Sequence, residues 1–297
     1  MTTELTPRIQ RLVREHYVFP DVGEGIATAL AEVRYDDGDP ESTATTLTSA
    51  LQSVNGDRHL RVRHYPDGVP QEQDEAQVRA YWTDHVRRHG GGIGEVSRLD
   101  GNIGLVVIGP VIPPAELSAT TVEAAFTLLQ GVRRLVIDLR GCVGGVPETV
   151  ALICSYLTGN EPVHLQDLVS RDGTTRQSWT VTSVAPKVDP EVPVHVLTSS
   201  ATFSGGEELA YDLQALGRAT LVGETTGGGA HPREAFDLDR TLQLHVSVAR
   251  SVNAVTGTNW EGVGVEPDIP CAAPKALEVA LADAGVSDPA ASAGRTA

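Results

Sequence analysis

Apolar residues recur at helical spacing through the N-terminal part of the chain. This spacing predicts helices over Leu5–Tyr17, Val22–Arg34 and Ser42–Gln52. The glycine-rich stretch RHGGGIG, Arg88–Gly94, follows them and is typical of a joint between structural units. The sequence therefore predicts a helical N-terminal domain over residues 1–90.

Beyond this joint, apolar runs of strand length alternate with helical patterns. The predicted strands and helices are, in chain order, Asn102–Ile108, Pro113–Leu129, Arg134–Leu139, Pro147–Leu157, Pro193–Thr198, Gly205–Leu216 and Ala219–Val222. Such alternation indicates an α/β layer fold. Apolar and polar residues alternate over Leu242–Ala249, which predicts a half-exposed strand. We assign residues 91–285 to the α/β core and 286–297, by composition, to a disordered tail.

The composition and charge of the chain indicate which partners and which cellular location to expect. The formal net charge of −16 over 297 residues opposes binding to nucleic acid or to an anionic membrane surface. No run approaches the ~20 apolar residues of a membrane span, and the polar N-terminus does not resemble an export signal. The three cysteines are odd in number and lack CxxC spacing, which favours a reducing cytoplasm. No clustered Cys/His or HExxH spacing is present, so we expect no metal and no cofactor.

One serine lies where a nucleophile would be placed. Ser204, in TSSATFSGGEE, lies between a predicted strand and helix, and Gly205 offers a backbone N–H at the helix start. An exposed hydroxyl beside such a donor suits acyl transfer. A helix N-cap is the structural alternative, because serine is favoured there. The neighbouring hydroxyls of Ser199, Ser200 and Thr202 compete with Ser204 on local grounds.

A glycine pair follows another predicted strand. In DLRGCVGG, Gly144 and Gly145 would let the backbone approach a ligand and turn an N–H towards it. They are candidates for a second oxyanion donor, with a tight strand–helix turn as the alternative. A phosphate loop is disfavoured, because neither GxxxxGK[ST] nor GxGxxG occurs.

Candidates for a general base and its partner lie outside these turns. His59, in NGDRHLRV, is one of nine histidines, and His231, in GGGAHP, is its rival. Glu261, in NWEGVGVEPDI, could orient a histidine or could be a solvated carboxylate. Residue types alone leave these alternatives open.

Three strings carry a resemblance to a known family: RRLVIDLRGCVGGVPETV, VPVHVLTSSATFSGGEELAYDLQALGRATLVGETTGGGAHP and TGTNWEGVGVEPDIP. In order and spacing they resemble the family that joins C-terminal processing (tail-specific) proteases, tricorn-like proteases and interphotoreceptor retinoid-binding protein. The resemblance covers residues 100 to 275, and LQSVNGDRHLRV resembles the retinoid-binding-protein branch. It implies a crotonase-like (ClpP-like) α/β core.

The resemblance also implies site residues. It gives Ser204 as nucleophile, His59 as base and Glu261 as the carboxylate that orients it. It gives Gly205 and the Gly144–Gly145 pair as the oxyanion hole.

The processing proteases have a lysine at the end of a GExxxGK pattern, and this chain departs from that pattern. Here the stretch is GETTGGG, which puts Gly229 in the lysine's place. The only lysines are Lys187 and Lys275, outside these motifs. The base must then be a histidine.

The function implied is a serine hydrolase that works through an acyl-enzyme, most simply a peptidase acting on a peptide or another acyl substrate. Two alternatives stay open. One is a non-catalytic carrier of an apolar ligand, such as a retinoid or fatty acid; the other is an esterase or acyltransferase of a biosynthetic pathway. The natural substrate and the oligomeric state are not encoded in any motif of the chain.

Overall fold

A computed structural model describes residues 5–36, 38–70 and 75–283. Its α-helices are α1 Leu5–His16, α2 Pro20–Leu30, α3 Pro40–Gln52, α4 Glu75–Arg88, α5 Ala115–Leu128, α6 Pro147–Leu157, α7 Gly205–Ala215 and α8 Ala276–Ala282. Its strands are β1 Arg61–His64, β2 Ile93–Leu99, β3 Ile103–Ile108, β4 Arg134–Asp138, β5 His164–Ser170, β6 Thr175–Trp179, β7 Val194–Thr198, β8 Thr220–Gly223, β9 Arg233–Asp237, β10 Leu242–Ser247, β11 Ala249–Asn253 and β12 Ile269–Pro270. The α/β class and the N-terminal helices are confirmed. The predicted tail, 286–297, lies outside the described residues.

The chain forms two compact units, and their boundaries differ from the predicted division near residue 90. The first unit is Met1–Tyr81 with His164–Trp179 and Gly228–Gly264, and the second is Trp82–Val163, Thr180–Gly227 and Val265–Ala297. The chain returns twice to the first unit, because strands from those later segments complete its sheets. A local glycine signal cannot reveal such long-range pairing.

In the first unit, β10 pairs with both β1 and β9, and β5 pairs with both β6 and β11. One face of the β1–β10–β9 sheet carries Val62, Leu244 and Val246, which form a core with α1, α2 and α3. The strand predicted as half-exposed is β10, and it is largely buried. The prediction was wrong there because its other face carries His245 and Ser247, which are also buried.

The second unit is built on a six-stranded sheet in the order β12-β8-β7-β4-β3-β2. All neighbouring strands are parallel except β2, which runs antiparallel to β3. Strands β4 and β7 are neighbours, with Asp138 opposite Leu197. Their carboxyl ends therefore lead into adjacent loops, and the edge where parallel strands end is where ligands bind in open α/β sheets.

Among the described helices, none is both long enough and apolar enough to cross a lipid bilayer.

Candidate active site

In the second unit, Ser204 occupies a strained turn between β7 and α7. Its backbone angles are φ 50° and ψ −119°, a conformation favoured by glycine, whereas an ordinary N-cap residue is extended. The N–H of Ser204 donates to the carboxylate of buried Glu207, at 2.7 Å. Strain of this kind costs about 1–3 kcal/mol and clusters at functional sites. A serine at the apex of a strand-to-helix turn is the arrangement of a nucleophile elbow.

The competing hydroxyls of this loop are used differently. Ser199 Oγ donates to the carbonyl of Arg140 at 2.6 Å, and Thr202 Oγ1 donates to the carbonyl of Leu139 at 2.9 Å. Both hydroxyl groups therefore already donate their hydrogen to a backbone carbonyl. Ser200 is exposed at the surface. The structure thus favours Ser204 over its neighbours as the nucleophile.

The Gly144–Gly145 loop packs directly against Ser204 and Gly205. A methyl group added to Gly144 would lie 3.3 Å from Cβ of Ser204, and one added to Gly205 would lie 2.8 Å from the nitrogen of Gly145. The loop is held by the N–H of Ile112, which donates to the carbonyl of Gly144 at 2.9 Å. Within the described residues, no hydrogen bond uses the N–H groups of Gly144, Gly145 or Gly205. These amides are available to stabilise an oxyanion.

In the first unit, a fully buried carboxylate, Asp57, binds a histidine. Its Oδ2 atom lies 3.2 Å from Nδ1 of His231 and accepts a hydrogen bond from the Tyr17 hydroxyl at 2.9 Å. Its Oδ1 atom accepts from Ser247 Oγ and from the backbone N–H groups of His59 and Leu60. With Nδ1 engaged by a carboxylate, the other ring nitrogen of His231 can accept a proton. Sequence reasoning missed Asp57, although it lies in the NGDRH motif.

Glu261 also faces His231. Its Oε1 accepts from the N–H of Arg58 at 2.9 Å, and its Oε2 accepts from the N–H groups of Ala230 at 2.5 Å and His231 at 3.0 Å. Oε2 lies 3.6 Å from Nδ1 of His231. The predicted pairing of Glu261 with His59 is therefore replaced by a pairing with the rival histidine, because the Ala230–His231 backbone binds this carboxylate.

His59 lies in a different electrostatic environment. Burial lowers its pKa to about 3; the charge of Asp57 opposes this effect, while Arg233 and Arg61 add to it. His59 is thus neutral near pH 7, but a weak proton acceptor. The geometry favours His231, with Asp57 as its orienting carboxylate.

The pKa values of the two carboxylates beside His231 are shifted in opposite directions by their surroundings. Burial acts to raise the pKa of Asp57, but hydrogen bonds and charge from His231, with donors from Ser247 and Tyr17, lower it overall. Burial and the nearby charge of Asp57 raise the pKa of Glu261 despite its backbone donors. Asp57 therefore holds the firmer negative charge, and Glu261 is the first to take up a proton.

Asp57, His231 and Glu261 are also close enough to coordinate a cation, since one ligand atom from each lies within 4.8 Å of the others. The oxygens of both carboxylates, however, already accept N–H and O–H donors. A cation would have to displace these donors. The arrangement favours a hydrogen-bonded cluster over a metal centre.

Known proteins are similar in sequence both to the N-terminal region of this chain and to the rest of it. The model of the N-terminal domain of Peptidase_S41 in eukaryotic IRBP matches residues 2–85. A carboxyl-terminal-processing protease of Picosynechococcus sp. is 35% identical over 121 residues, which cover 41% of this chain and 28% of that protein. A chloroplastic C-terminal processing peptidase of Tetradesmus obliquus is 30% identical over 163 residues, 51% of this chain and 32% of that protein. The chain thus spans about a third or less of these relatives' length.

A solved structure shares the fold over almost the whole chain. The crystal structure of a putative peptidase from Parabacteroides merdae has a TM-score of 0.67 and 18% identity, covering 94% of this chain and 95% of that one. The model of peptidase family S41 matches residues 102–271, more than half of the chain and the part that contains Ser204 and Glu261. The chain belongs to peptidase family S41.

Proposed function

We propose that this protein is a serine peptidase that forms an acyl-enzyme on Ser204. The observation that carries the proposal is the strained turn that presents Ser204 beside unused backbone amides. Ser204 Oγ attacks the carbonyl carbon of a peptide bond and gives its proton to a base. The C–N bond then breaks, and the proton passes to the departing amine. Water hydrolyses the ester and restores the serine.

The oxyanion formed in each step would be held by backbone N–H groups. Gly205 supplies one at the start of α7, where the helix dipole also favours negative charge. Gly144 or Gly145 supplies the second. Losing one such donor typically slows an enzyme by about 10²–10³-fold.

We infer that the base is His231, oriented by Asp57 and supported by Glu261. The 3.2 Å contact between Asp57 and His231 supports this assignment. The assignment of His59, implied by the family resemblance, stays the competing proposal. Proton transfer requires that the acting histidine come within hydrogen-bond reach of Ser204 Oγ, so variants of the two histidines distinguish the proposals.

A peptide is the proposed substrate. The curated relatives are C-terminal processing peptidases by name, and the same chemistry would serve peptides here. The esterase and acyltransferase alternatives use the same serine and differ in the acyl acceptor. A non-catalytic carrier keeps some support from the match of residues 2–85 to the retinoid-binding-protein domain. The cytoplasmic location stays a prediction.

A fluorophosphonate probe tests the proposal directly. We expect the purified protein to be labelled on Ser204, mapped by peptide mass spectrometry, and Ser204→Ala to lose all labelling while its circular dichroism is unchanged. Ser200→Ala is the matched control, and it should be labelled like the wild type. Labelling at Ser200 or Thr202 would overturn the nucleophile, and absence of labelling would favour the carrier.

A further inference from the structure

The carbonyl oxygen of Gly144 accepts hydrogen bonds from two groups in the interior of the second unit. The N–H of Ile112 donates to it at 2.9 Å. The thiol of Cys142 donates to it as well, with 3.6 Å between sulfur and oxygen. A thiol is a weak donor, and both Ile112 and Cys142 are buried. The carbonyl is therefore held in one orientation by two donors that water does not reach.

The orientation of this carbonyl determines the direction of the next N–H group. In a trans peptide, the C=O of one residue and the N–H of the next lie in one plane and point in opposite directions. The peptide between Gly144 and Gly145 is trans, and its C=O points to Ile112. The C=O of Ile112 in turn accepts from the N–H of Val146 at 3.0 Å, which fixes the other side of Gly145. The N–H of Gly145 therefore points away from Ile112.

Gly145 lies directly beside the start of α7. A methyl group added to Gly205 would lie 2.8 Å from the nitrogen of Gly145. Within the described residues, no hydrogen bond uses the N–H of either glycine. Two adjacent and unused amides, each fixed by its own backbone, are what an oxyanion hole requires.

Cys142 contacts α7 as well as the glycine loop. A methyl group added to Gly206 would lie 3.0 Å from Sγ of Cys142 and 2.8 Å from its carbonyl oxygen. That carbonyl oxygen accepts from the N–H of Phe203 at 3.0 Å. The missing side chain at Gly206 therefore leaves room for the thiol, and Cys142 joins the glycine loop to the turn that presents Ser204.

The thiol of Cys142 keeps the hydrogen that it donates. Burial raises the pKa of Cys142 to about 11, against a smaller lowering by the backbone of Gly144. At neutral pH the group is therefore a thiol, whereas a thiolate would have no hydrogen to give to a carbonyl.

We propose that Cys142 is a positioning residue for the oxyanion hole, and that the donor it positions is the N–H of Gly145. This inference rests on the proposed peptidase function, and it assigns the second donor to one of the two loop glycines. Cys142 is fully buried, so it acts through the carbonyl of Gly144 and not on the substrate. A donor that is already oriented stabilises the oxyanion without reorganisation during the reaction.

Kinetics on an activated ester test the role of the thiol. Cys142→Ala removes the donor, and we expect kcat to fall about tenfold. The oxyanion forms in both acylation and deacylation, so both steps should slow together and KM should stay unchanged. Cys142→Ser keeps an O–H donor at the same position, and its kcat should stay within about threefold of the wild type.

Cys154→Ala is the matched control. It removes another fully buried thiol from the same unit, in α6. Both alanine variants should lose stability in urea, because each leaves a small cavity, but only Cys142→Ala should lose kcat. An equal kcat in the two alanine variants would overturn the inference, and so would a Cys142→Ser enzyme as slow as Cys142→Ala.

Infrared difference spectroscopy tests the hydrogen bond without a substrate. The spectrum of the wild type minus that of Cys142→Ser isolates the S–H stretching band of Cys142. We expect this band at a lower frequency than that of a simple alkyl thiol in a hydrocarbon solvent, because a donated hydrogen bond weakens the S–H bond. A band at the frequency of the simple thiol would overturn the inference, whatever the activity of the enzyme. Probe labelling of Ser204 in the wild type tests the peptidase proposal separately.

Discussion

Oδ2 of Asp57 lies 3.2 Å from Nδ1 of His231, and the two residues are 174 positions apart in the chain. Both side chains are buried, and the carboxylate also accepts from the hydroxyls of Tyr17 and Ser247. A carboxylate fixed in this way selects the tautomer and the ring orientation of its histidine. The pair therefore holds His231 in the tautomer that the proposed general base requires.

A comparison of Ser204→Gly with Ser204→Ala should distinguish the backbone strain at this position from the role of the hydroxyl. Ser204→Gly and Ser204→Ala should both abolish probe labelling. The glycine variant should be the more stable of the two, by about 1 kcal/mol, because φ 50° strains every residue with a Cβ. Urea unfolding of both variants measures the difference. An alanine variant as stable as the glycine variant would show that the turn is not strained.

Gly144→Ala and Gly145→Ala should have different effects on stability and on catalysis. A methyl group on Gly145 would lie 2.3 Å from Cβ of Ile112, so Gly145→Ala should lower the free energy of unfolding by about 3 kcal/mol. A methyl group on Gly144 would meet no atom closer than Cβ of Ser204, at 3.3 Å, but φ is 141° there. Gly144→Ala should fold with a smaller loss of stability and should lower kcat by about 10²-fold, because the turned backbone displaces an oxyanion donor.

Those two outcomes are measured by urea unfolding and by kinetics on an activated ester. A Gly144→Ala enzyme with wild-type kcat would remove this loop from the oxyanion hole.

Replacement of each histidine should identify the base. His231→Ala should lower kcat/KM by about 10²–10⁴-fold, whereas His59→Ala should reduce it far less, because its lowered pKa, about 3, makes His59 a weak acceptor. Asp57→Asn should also lower kcat/KM, because an amide in place of the carboxylate no longer fixes the ring tautomer of His231. The reverse order of the two histidine variants would restore His59 as the base.

The stability of the protein should fall as the pH drops below about 6.5, the ordinary pKa of histidine. In the folded state, burial and the charges of nearby arginines lower the pKa of His245 to about 3, so between these values the unfolded chain binds more protons. The free energy of unfolding therefore rises with pH through this window and levels off above it. His59, whose pKa is also about 3, adds to this slope. Urea titrations at pH 4 to 7 should therefore show a slope that His245→Gln reduces without removing it. An identical slope in the variant would contradict the assignment.

The lysines should be dispensable for catalysis. Nζ of Lys187 donates to the carbonyl of Gly159, and Lys275 lies in the turn that precedes α8. The double variant Lys187→Gln/Lys275→Gln should keep probe labelling and kcat/KM within about twofold, since surface substitutions of this kind change stability little. Loss of labelling by a folded double variant would revive a serine–lysine mechanism.

The sequence by itself determined the local elements and, through the family resemblance, the proposal of Ser204 as the nucleophile. Each predicted helix and strand of the α/β core, from Asn102 to Val222, has a counterpart within a few residues, because buried strands and amphipathic helices have distinct apolar periods. The strand, the turn and the helix around Ser204 were also predicted, because all three are local features of the sequence. Strands β5 and β6 were missed, because much of β6 is exposed and polar and its pattern is weak.

Tertiary structure decided the rest. The pairing of β1 with β10 brings the NGDRH segment to the segment that contains His231. This pairing makes Asp57, rather than Glu261 alone, the partner of His231. Such contacts join residues more than 170 positions apart. No local periodicity encodes them, because strand pairing between distant segments depends on the whole fold rather than on neighbours in the chain.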